Sequence, residues 1–377
     1  MRVPNSLQTA LDLRRQGGML RSLRSLAGYV DLCSNDYLGA SAKIQVPSNA
    51  IGWGSVGASG SRLVSGTHKE HLLFEDFLAE FHQTEAALLY GSGYEANLGL
   101  LSATGSRHDT IIFDDRIHAS MRDGIRLSMA RSFSFHHNDL ADLRSKIPLV
   151  RGDCFIAVES LYSMDGDRAP LEQLCQLAEE TGAYLLVDEA HATGVYGEGG
   201  AGLVQSLGLQ DRVFARIHTF GKALGFKGAC VVGPRILRDT LVNFSRPFIY
   251  STAPDLMSVA LMRAAYEVAR TLDAERASLF TLISQFRQLR GEFPGLRFLD
   301  SDSPIQGIVI PGNDEVLAVE LALSEAGFAA RAIRSPTVVR GEERIRICLH
   351  SYNTISELRT ALTIASEACS TRRVCGF

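Results

Sequence analysis

The run Ala183-Tyr184-Leu185-Leu186-Val187-Asp188-Glu189-Ala190-His191 passes within a few residues from wholly apolar to acid, acid and imidazole. Its apolar part is short and has no polar face, the pattern of a strand buried on both sides in a parallel sheet. Asp188 stands at its carboxyl end. Residues 86–90, 110–113, 154–159, 213–218 and 229–232 repeat the pattern, separated by helical periodicities. One of these helices is bracketed by Pro170 and Gly182 around Leu171, Leu174, Cys175, Leu177 and Ala178. The alternation predicts an α/β fold with a mainly parallel central sheet covered by helices, and a ligand crevice beyond the carboxyl ends of its strands.

Toward the amino terminus, residues 7–25 set Leu7, Leu11, Leu20 and Leu23 among Arg14, Arg15, Arg21 and Arg24, an amphipathic helical pattern weakened by Gly17 and Gly18. The glycine- and serine-rich stretch 52–66 reads as tight turns, because no G-x-G-x-x-G follows a strand there. Thr67-His68-Lys69-Glu70 reads as a capping box opening a helix with Leu73, Phe74, Phe77, Leu78 and Phe81 on one face. In the other direction a long helical stretch runs from Pro254 to about Phe293. Short apolar runs at 296–299, 305–310, 328–333 and 344–349, with helices over 314–326 and from 354, then form a smaller α+β unit. The expected organisation is an N-terminal segment 1–45, a large domain 46–272 and a small C-terminal domain 273–377.

The 377 residues include 38 basic and 42 acidic side chains, a formal charge of −4, without a polybasic tract. Nucleic acid is thereby a poor partner. Seven cysteines are scattered without CxxC spacing, and their odd number argues against a disulfide framework and fits a reducing cytosol. No run of eighteen apolar residues marks a membrane span, and residues 1–25 lack the apolar core of a secretory signal.

The loop-like Thr219-Phe220-Gly221-Lys222-Ala223-Leu224-Gly225 carries the second candidate group. An acid at a strand end is common in α/β proteins, and a lysine between glycines often sits in a solvated turn. Together they match what pyridoxal phosphate (PLP) requires: an amine to hold its aldehyde, and a carboxylate to keep its ring nitrogen protonated. Tyr90-Gly91-Ser92-Gly93-Tyr94-Glu95-Ala96-Asn97 lies between a strand and a helix, where free N–H groups favour a phosphate. Arg116-Ile117-His118-Ala119-Ser120 offers a flat imidazole, and Glu159-Ser160-Leu161-Tyr162-Ser163-Met164-Asp165-Gly166-Asp167 ends another strand with hydroxyls and acids.

In this order the pieces resemble the α-oxoamine synthase family, fold-type-I PLP enzymes that condense an amino acid with an acyl thioester. The resemblance runs from about Leu11 to the last helix. It is carried by Ser34-Asn35-Asp36-Tyr37-Leu38-Gly39, Gly60-Ser61-Arg62, Val64-Ser65-Gly66-Thr67, Gly93-Tyr94, His118-Ala119-Ser120, Ser163-Met164-Asp165-Gly166-Asp167, the run from Val187 to Gly194, and Thr219-Phe220-Gly221-Lys222-Ala223. Ala10-Leu11-Asp12-Leu13-Arg14-Arg15 with Arg21, Tyr250-Ser251-Thr252-Ala253-Pro254, and Ile333-Arg334-Ser335-Pro336-Thr337-Val338 are most similar to the branch that joins L-alanine to a pimeloyl thioester on the way to biotin. Two departures fall on the acyl side: Val339-Arg340 stands where the family often has a proline-containing turn, and the segment between Arg21 and Asp31 is short.

The resemblance implies a fold-type-I transferase and assigns roles. Lys222 holds the cofactor and moves the α-proton, Asp188 faces the ring nitrogen, His118 stacks on the ring, and His191 and Ser163 lie at its phenolic edge. Gly93, Tyr94 and Thr219 hold the phosphate, with Ser251 and Thr252 reaching in from the second subunit of a homodimer. Arg346 with Asn35 binds the amino-acid carboxylate, and Arg21 and Arg334 meet the far end of the acyl chain. No metal is implied. Siblings of the glycine C-acetyltransferase, 5-aminolevulinate synthase or serine palmitoyltransferase type share these cofactor residues and stay open, as does a partner subunit that has lost its chemistry. An NAD-dependent α/β enzyme lacks its glycine fingerprint here.

Overall fold

The computed structural model describes residues 3–17, 19–21, 23, 25–48 and 57–375, the last five as backbone only. Gly18, Arg24 and the first part of the glycine-rich stretch 52–66 lie outside them. The chain divides into two compact units, one of residues 35–279 and 350–352, the other of residues 1–34, 280–349 and 353–377.

In the larger unit, the apolar runs form a seven-stranded sheet in the spatial order Ala86–Tyr90, Ala229–Gly233, Ala215–Thr219, Tyr184–Asp188, Cys154–Glu159, Thr110–Asp114, Arg131–Phe135. All neighbours are parallel except that Ala229–Gly233 runs antiparallel to both strands beside it. Side chains alternate across the pleat into two cores. Leu88, Ile111, Leu186, Ile217 and Val231 pack on one face with Leu100, Met121 and Leu241 from helices. Ala87, Leu89, Cys230 and Val232 pack on the other with Phe74, Leu78, Met262 and Tyr266.

The strand Arg131–Phe135 was not anticipated; its residues are mostly exposed, so an edge position left no apolar run to find. The long helix expected from Pro254 to Phe293 is in fact Leu256–Ala269, Asp273–Leu289 and a 3₁₀ turn, Arg290–Glu292. Arg276 explains the break between the first two. Its guanidinium bonds the carbonyl of Ala269 at the first helix's end, the Gly194 carbonyl at 2.9 Å and Asp273 at 2.7 Å, so it closes one helix while anchoring the next. The helix over 7–25 is shorter too, Asn5–Gln16 with no buried residue, and Leu20 and Leu23 lie exposed beyond it.

The helix Lys69–Phe81 starts one residue later than the capping box predicts, with His68 at its N-cap and His71 Nδ1 accepting from the His68 N–H at 3.3 Å. Thr67 is occupied elsewhere. Its hydroxyl donates to the Arg62 carbonyl and accepts from Arg62 Nε at 3.0 Å. Arg62 in turn forms a forked pair with Glu75 at 2.9 and 3.2 Å, and Glu75 also accepts the Leu89 N–H at 3.0 Å. Both side chains are only 4% exposed, so neither charge has water to fall back on.

The smaller unit holds an antiparallel sheet in the order Arg331–Ile333, Arg344–Cys348, Ile305–Val309, Arg297–Phe298, with the helices Asn313–Glu325 and Ile355–Cys375. The run 328–333 is divided: Phe328–Ala329 pairs in parallel with Val30–Asp31, and only Arg331–Ile333 joins the larger of these sheets. Cys33, Cys154, Cys175, Cys230, Cys348 and Cys369 form no disulfide with one another. Among the described residues no helix is long and apolar enough to cross a membrane. Replacing Arg62 with Met should strand the Glu75 carboxylate in the core and lower stability by about 3–5 kcal/mol in urea unfolding; a loss below about 1 kcal/mol would show that the pair is not structural.

Candidate active site

Four parallel strands end in polar residues: Asp114, Glu159, Asp188 and Thr219. Glu159 and Asp188 are register partners. Above these ends lies a cavity of about 290 Å³, lined in part by Gly93, Tyr94, His118, Asp188, Thr219 and Lys222.

The chain reversal between Ala215–Thr219 and the antiparallel strand Ala229–Gly233 delivers the lysine. It is closed by hydrogen bonds from Phe220 N to Gly228 O at 2.9 Å, Phe226 N to Phe220 O at 2.8 Å and Gly225 N to Lys222 O at 2.8 Å. Ala223 is buried against Gly194, where φ is +87° and an added Cβ would meet the Ala223 methyl at 2.7 Å. Lys222 Nζ lies 2.9 Å from His191 Nε2, and His191 Nδ1 lies 2.8 Å from the Tyr37 hydroxyl. With the Tyr37 hydroxyl donating to Asn35 Oδ1 at 3.1 Å, His191 Nδ1–H donates to Tyr37 and its Nε2 accepts from the lysine amine.

The helix Gly93–Ala103 starts at the cavity with Ser92 as N-cap, its hydroxyl accepting the Glu95 N–H at 3.2 Å. Gly93 faces Thr219 so closely that a Cβ would stand 2.4 Å from the threonine methyl. The free N–H groups of this first turn, with the Thr219 hydroxyl beside them, could hold an anion. His118 caps the helix Ala119–Leu127, its Nδ1 accepting from the Ser120 N–H at 3.2 Å. Burial holds its imidazole below the usual value, reinforced by the Lys222 charge and opposed by that of Asp188.

Asp188 is 3% exposed and accepts from Asn97 Nδ2 at 2.7 Å and from the Ala190 N–H at 2.8 Å. Burial, and then the charge of Asp188, push the Glu159 carboxyl up to about 8. Glu189, the acid next to Asp188, belongs to the scaffold: its carboxylate accepts the N–H groups of Leu203 and Val204 at 2.6 and 2.9 Å.

Of the residues expected at the site, Gly93, Tyr94, His118, Asp188, Thr219 and Lys222 line the cavity, and His191 and Asn35 reach it through Lys222 and Tyr37. Ser163, Ser251 and Thr252 are not among the described lining residues; Thr252 is exposed and bridged to Ser61. Arg21, Arg334 and Arg346 belong to the smaller unit. There Arg21 is exposed, Arg334 is half-buried, and Arg346 is buried on a central strand with Nη1 3.0 Å from Cys348 Sγ. Asn97, Ser120, Glu159 and Lys227 also line the cavity without having been singled out. Asn97 and Ser120 stood inside quoted motifs, but no local pattern marks an amide or a hydroxyl as a partner of a distant acid.

The turn carrying Ser163 is held by a charge cluster. His137, Asp165 and Asp167 place potential metal ligands within 4.8 Å of one another. Both imidazole nitrogens are already engaged, Nδ1 with Asp114 at 3.0 Å and Nε2 with Asp167 at 2.7 Å, and Asp165 contacts Arg116.

The large unit has the architecture of fold-type-I α/β transferases, with an acid, an imidazole and a loop lysine gathered at the strand ends. The chain belongs to the aminotransferase class I and II family, whose model matches residues 27–362. It is 39% identical to 8-amino-7-oxononanoate synthase of Cellvibrio japonicus (strain Ueda107), over 93% of this chain and 89% of the relative. Among solved structures it resembles the 8-amino-7-oxononanoate synthase of Francisella tularensis, with TM-score 0.78 and 29% identity over 92% of this chain and 99% of that one. It also resembles an SPT solved with PLP, with TM-score 0.86 and 25% identity over 98% of both chains.

Burial alone would lower the His137 pKa, but its hydrogen bonds to Asp114 and Asp167 outweigh that and push it up to about 9. A folded value above the unfolded one of about 6.5 gives a stabilisation complete below pH 6.5 and lost as pH rises through 9. Urea unfolding should therefore show stability falling by on the order of 3 kcal/mol between pH 6 and 10 from this group, and His137→Phe should remove that slope. An unchanged slope in the variant would contradict the assignment.

Proposed function

We propose that the chain condenses L-alanine with a pimeloyl thioester, carried by CoA or a carrier protein. The products are 8-amino-7-oxononanoate, carbon dioxide and the free thiol, in biotin biosynthesis. Pyridoxal phosphate is the cofactor. The observation that carries the reading is the cavity lined at once by Lys222, Asp188, His118 and the start of the Gly93–Ala103 helix. The relatives' shared name supplies the substrate class.

The residues fit the cofactor. Lys222 offers a primary amine for its aldehyde, Asp188 a buried carboxylate for its ring nitrogen, His118 a flat neutral imidazole, and the Gly93–Tyr94 turn with Thr219 a phosphate cradle. Bound there, pyridoxal phosphate supplies an electron sink for charge developing at the amino acid's α-carbon. Asp188 would keep that sink cationic. Lys222 would remove and later return the α-proton at Nζ, with His191 orienting the amine through their 2.9 Å contact. His191 and Ser163 are proposed at the phenolic edge, Arg346 with Asn35 at the amino-acid carboxylate, and Arg21 and Arg334 at the acyl end. Arg346 is suited to its task because a guanidinium meets a carboxylate as a planar fork.

A homodimer completes the proposal, with Ser251 and Thr252 of the second subunit reaching the phosphate. A cytoplasmic setting fits cysteines that form no disulfide among the described residues.

Purified protein given L-alanine and pimeloyl-CoA should release thiol and form a product of the aminoketone's mass. Consumption of glycine with acetyl-CoA while alanine is ignored would overturn the substrate assignment. Lys222→Ala and Asp188→Ala should each lower thiol release about 10²–10⁴-fold. Arg346→Ala should raise the KM for alanine about 10- to 100-fold, a charged hydrogen bond's worth, measured by varying alanine at saturating thioester.

A further inference from the structure

Asn97 is 2% exposed and Ser120 is fully buried, and both line the cavity. The amide nitrogen of Asn97 reaches two acceptors, Asp188 Oδ2 at 2.7 Å and Ser120 Oγ at 3.0 Å. A carboxylate can only accept, so the nitrogen end of the amide must face Asp188. Its second hydrogen goes to Ser120 Oγ, which leaves the serine hydrogen for His118 Nδ1 at 2.7 Å. That nitrogen also accepts the Ser120 N–H. His118 therefore keeps its proton on Nε2. The amide oxygen of Asn97 has no partner among the described residues, so this side chain is held for what its nitrogen does.

A choice between two acids depends on the same amide. Glu159 and Asp188 end neighbouring strands as register partners, and both line the cavity. Two acids so close in a buried site do not both ionise readily, and the charge settles on the one better supplied with donors. Asp188 receives Asn97 Nδ2 and the Ala190 N–H, one on each oxygen, whereas Glu159 takes only the backbone N–H of His118 and its Oε1 has no partner among the described residues. The other charged or titratable groups acting on this pair are Asp114, His118 and Lys222.

We propose that Asn97 and Ser120 are positioning residues for the cofactor: one amide places the negative charge on Asp188 rather than Glu159, and through the Ser120 hydroxyl it sets the tautomer of His118. This rests on the reading of Asp188 and His118 as cofactor contacts, but not on the acyl or amino-acid substrate.

The test uses the full-length protein loaded with pyridoxal phosphate. Cofactor uptake and a visible absorption band in the wild type test the preceding reading; variants test this inference, so the two can fail separately. In Asn97→Ala the cofactor Kd should rise about 10-fold or more, the loss of a hydrogen bond to a charged group. The pH midpoint of the visible band should move upward by about one unit, because a ring nitrogen less firmly held as a cation withdraws less from the bond to Lys222. Ser120→Ala should raise the Kd about 2- to 10-fold and shift the midpoint, and Ser120→Thr, which keeps the hydroxyl, should restore both. Wild-type Kd and midpoint in folded Asn97→Ala and Ser120→Ala would overturn the proposal. If Asn97→Ala does not fold, the serine pair decides it alone by the same two readouts.

Discussion

A carboxylate at the end of a strand buried on both faces is the constraint on which the site depends. Asp188 has almost no contact with water, and a charge so placed is tolerated only where donors replace the solvent it has lost. The Asn97 amide and the Ala190 N–H do that, one on each oxygen. A cation brought to the same cavity meets a charge that needs no rearrangement, which is the electrostatic preorganisation that carbanion chemistry asks for. Glu159 beside it has no equivalent donors on Oε1 and is pushed toward its neutral form.

The second requirement is an amine delivered to that charge from the outside of the sheet. A wholly parallel sheet would carry the chain away through a crossover after Ala215–Thr219. The antiparallel strand Ala229–Gly233 instead turns it straight back, so the loop with Lys222 stays above the strand ends. Gly194 and Ala223 pack the loop from beneath, and Glu189 spends its carboxylate on the N–H groups of Leu203 and Val204. Of the polar residues in the Asp188-to-His191 run, one thus serves the scaffold and two the cavity.

Much of this was legible in the chain. The buried strands, the acid at a strand end, the lysine loop and the glycine-rich turn opening the Gly93–Ala103 helix all follow from patterns a few residues long, and six of the residues expected around the cofactor line one cavity. Thr67 was misread because its hydroxyl serves Arg62, a partner that the capping pattern does not include. The break after Ala269 was missed because the side chain that causes it, Arg276, lies in the following helix and reaches back. Arg131–Phe135 escaped because an edge strand is not required to be apolar.

By itself the sequence determined which type of element holds each candidate residue, since strand burial and turn composition are local properties of the chain. Only the tertiary structure decided their hydrogen-bond partners. Asn97 stands 91 residues from Asp188, and Tyr37 stands 154 from His191. Those meetings are settled by strand order, register and the direction of a single antiparallel strand, and no periodicity within either segment encodes them. The protonation of the site follows from the same meetings, because a buried group's charge and tautomer are set by the donors and acceptors around it.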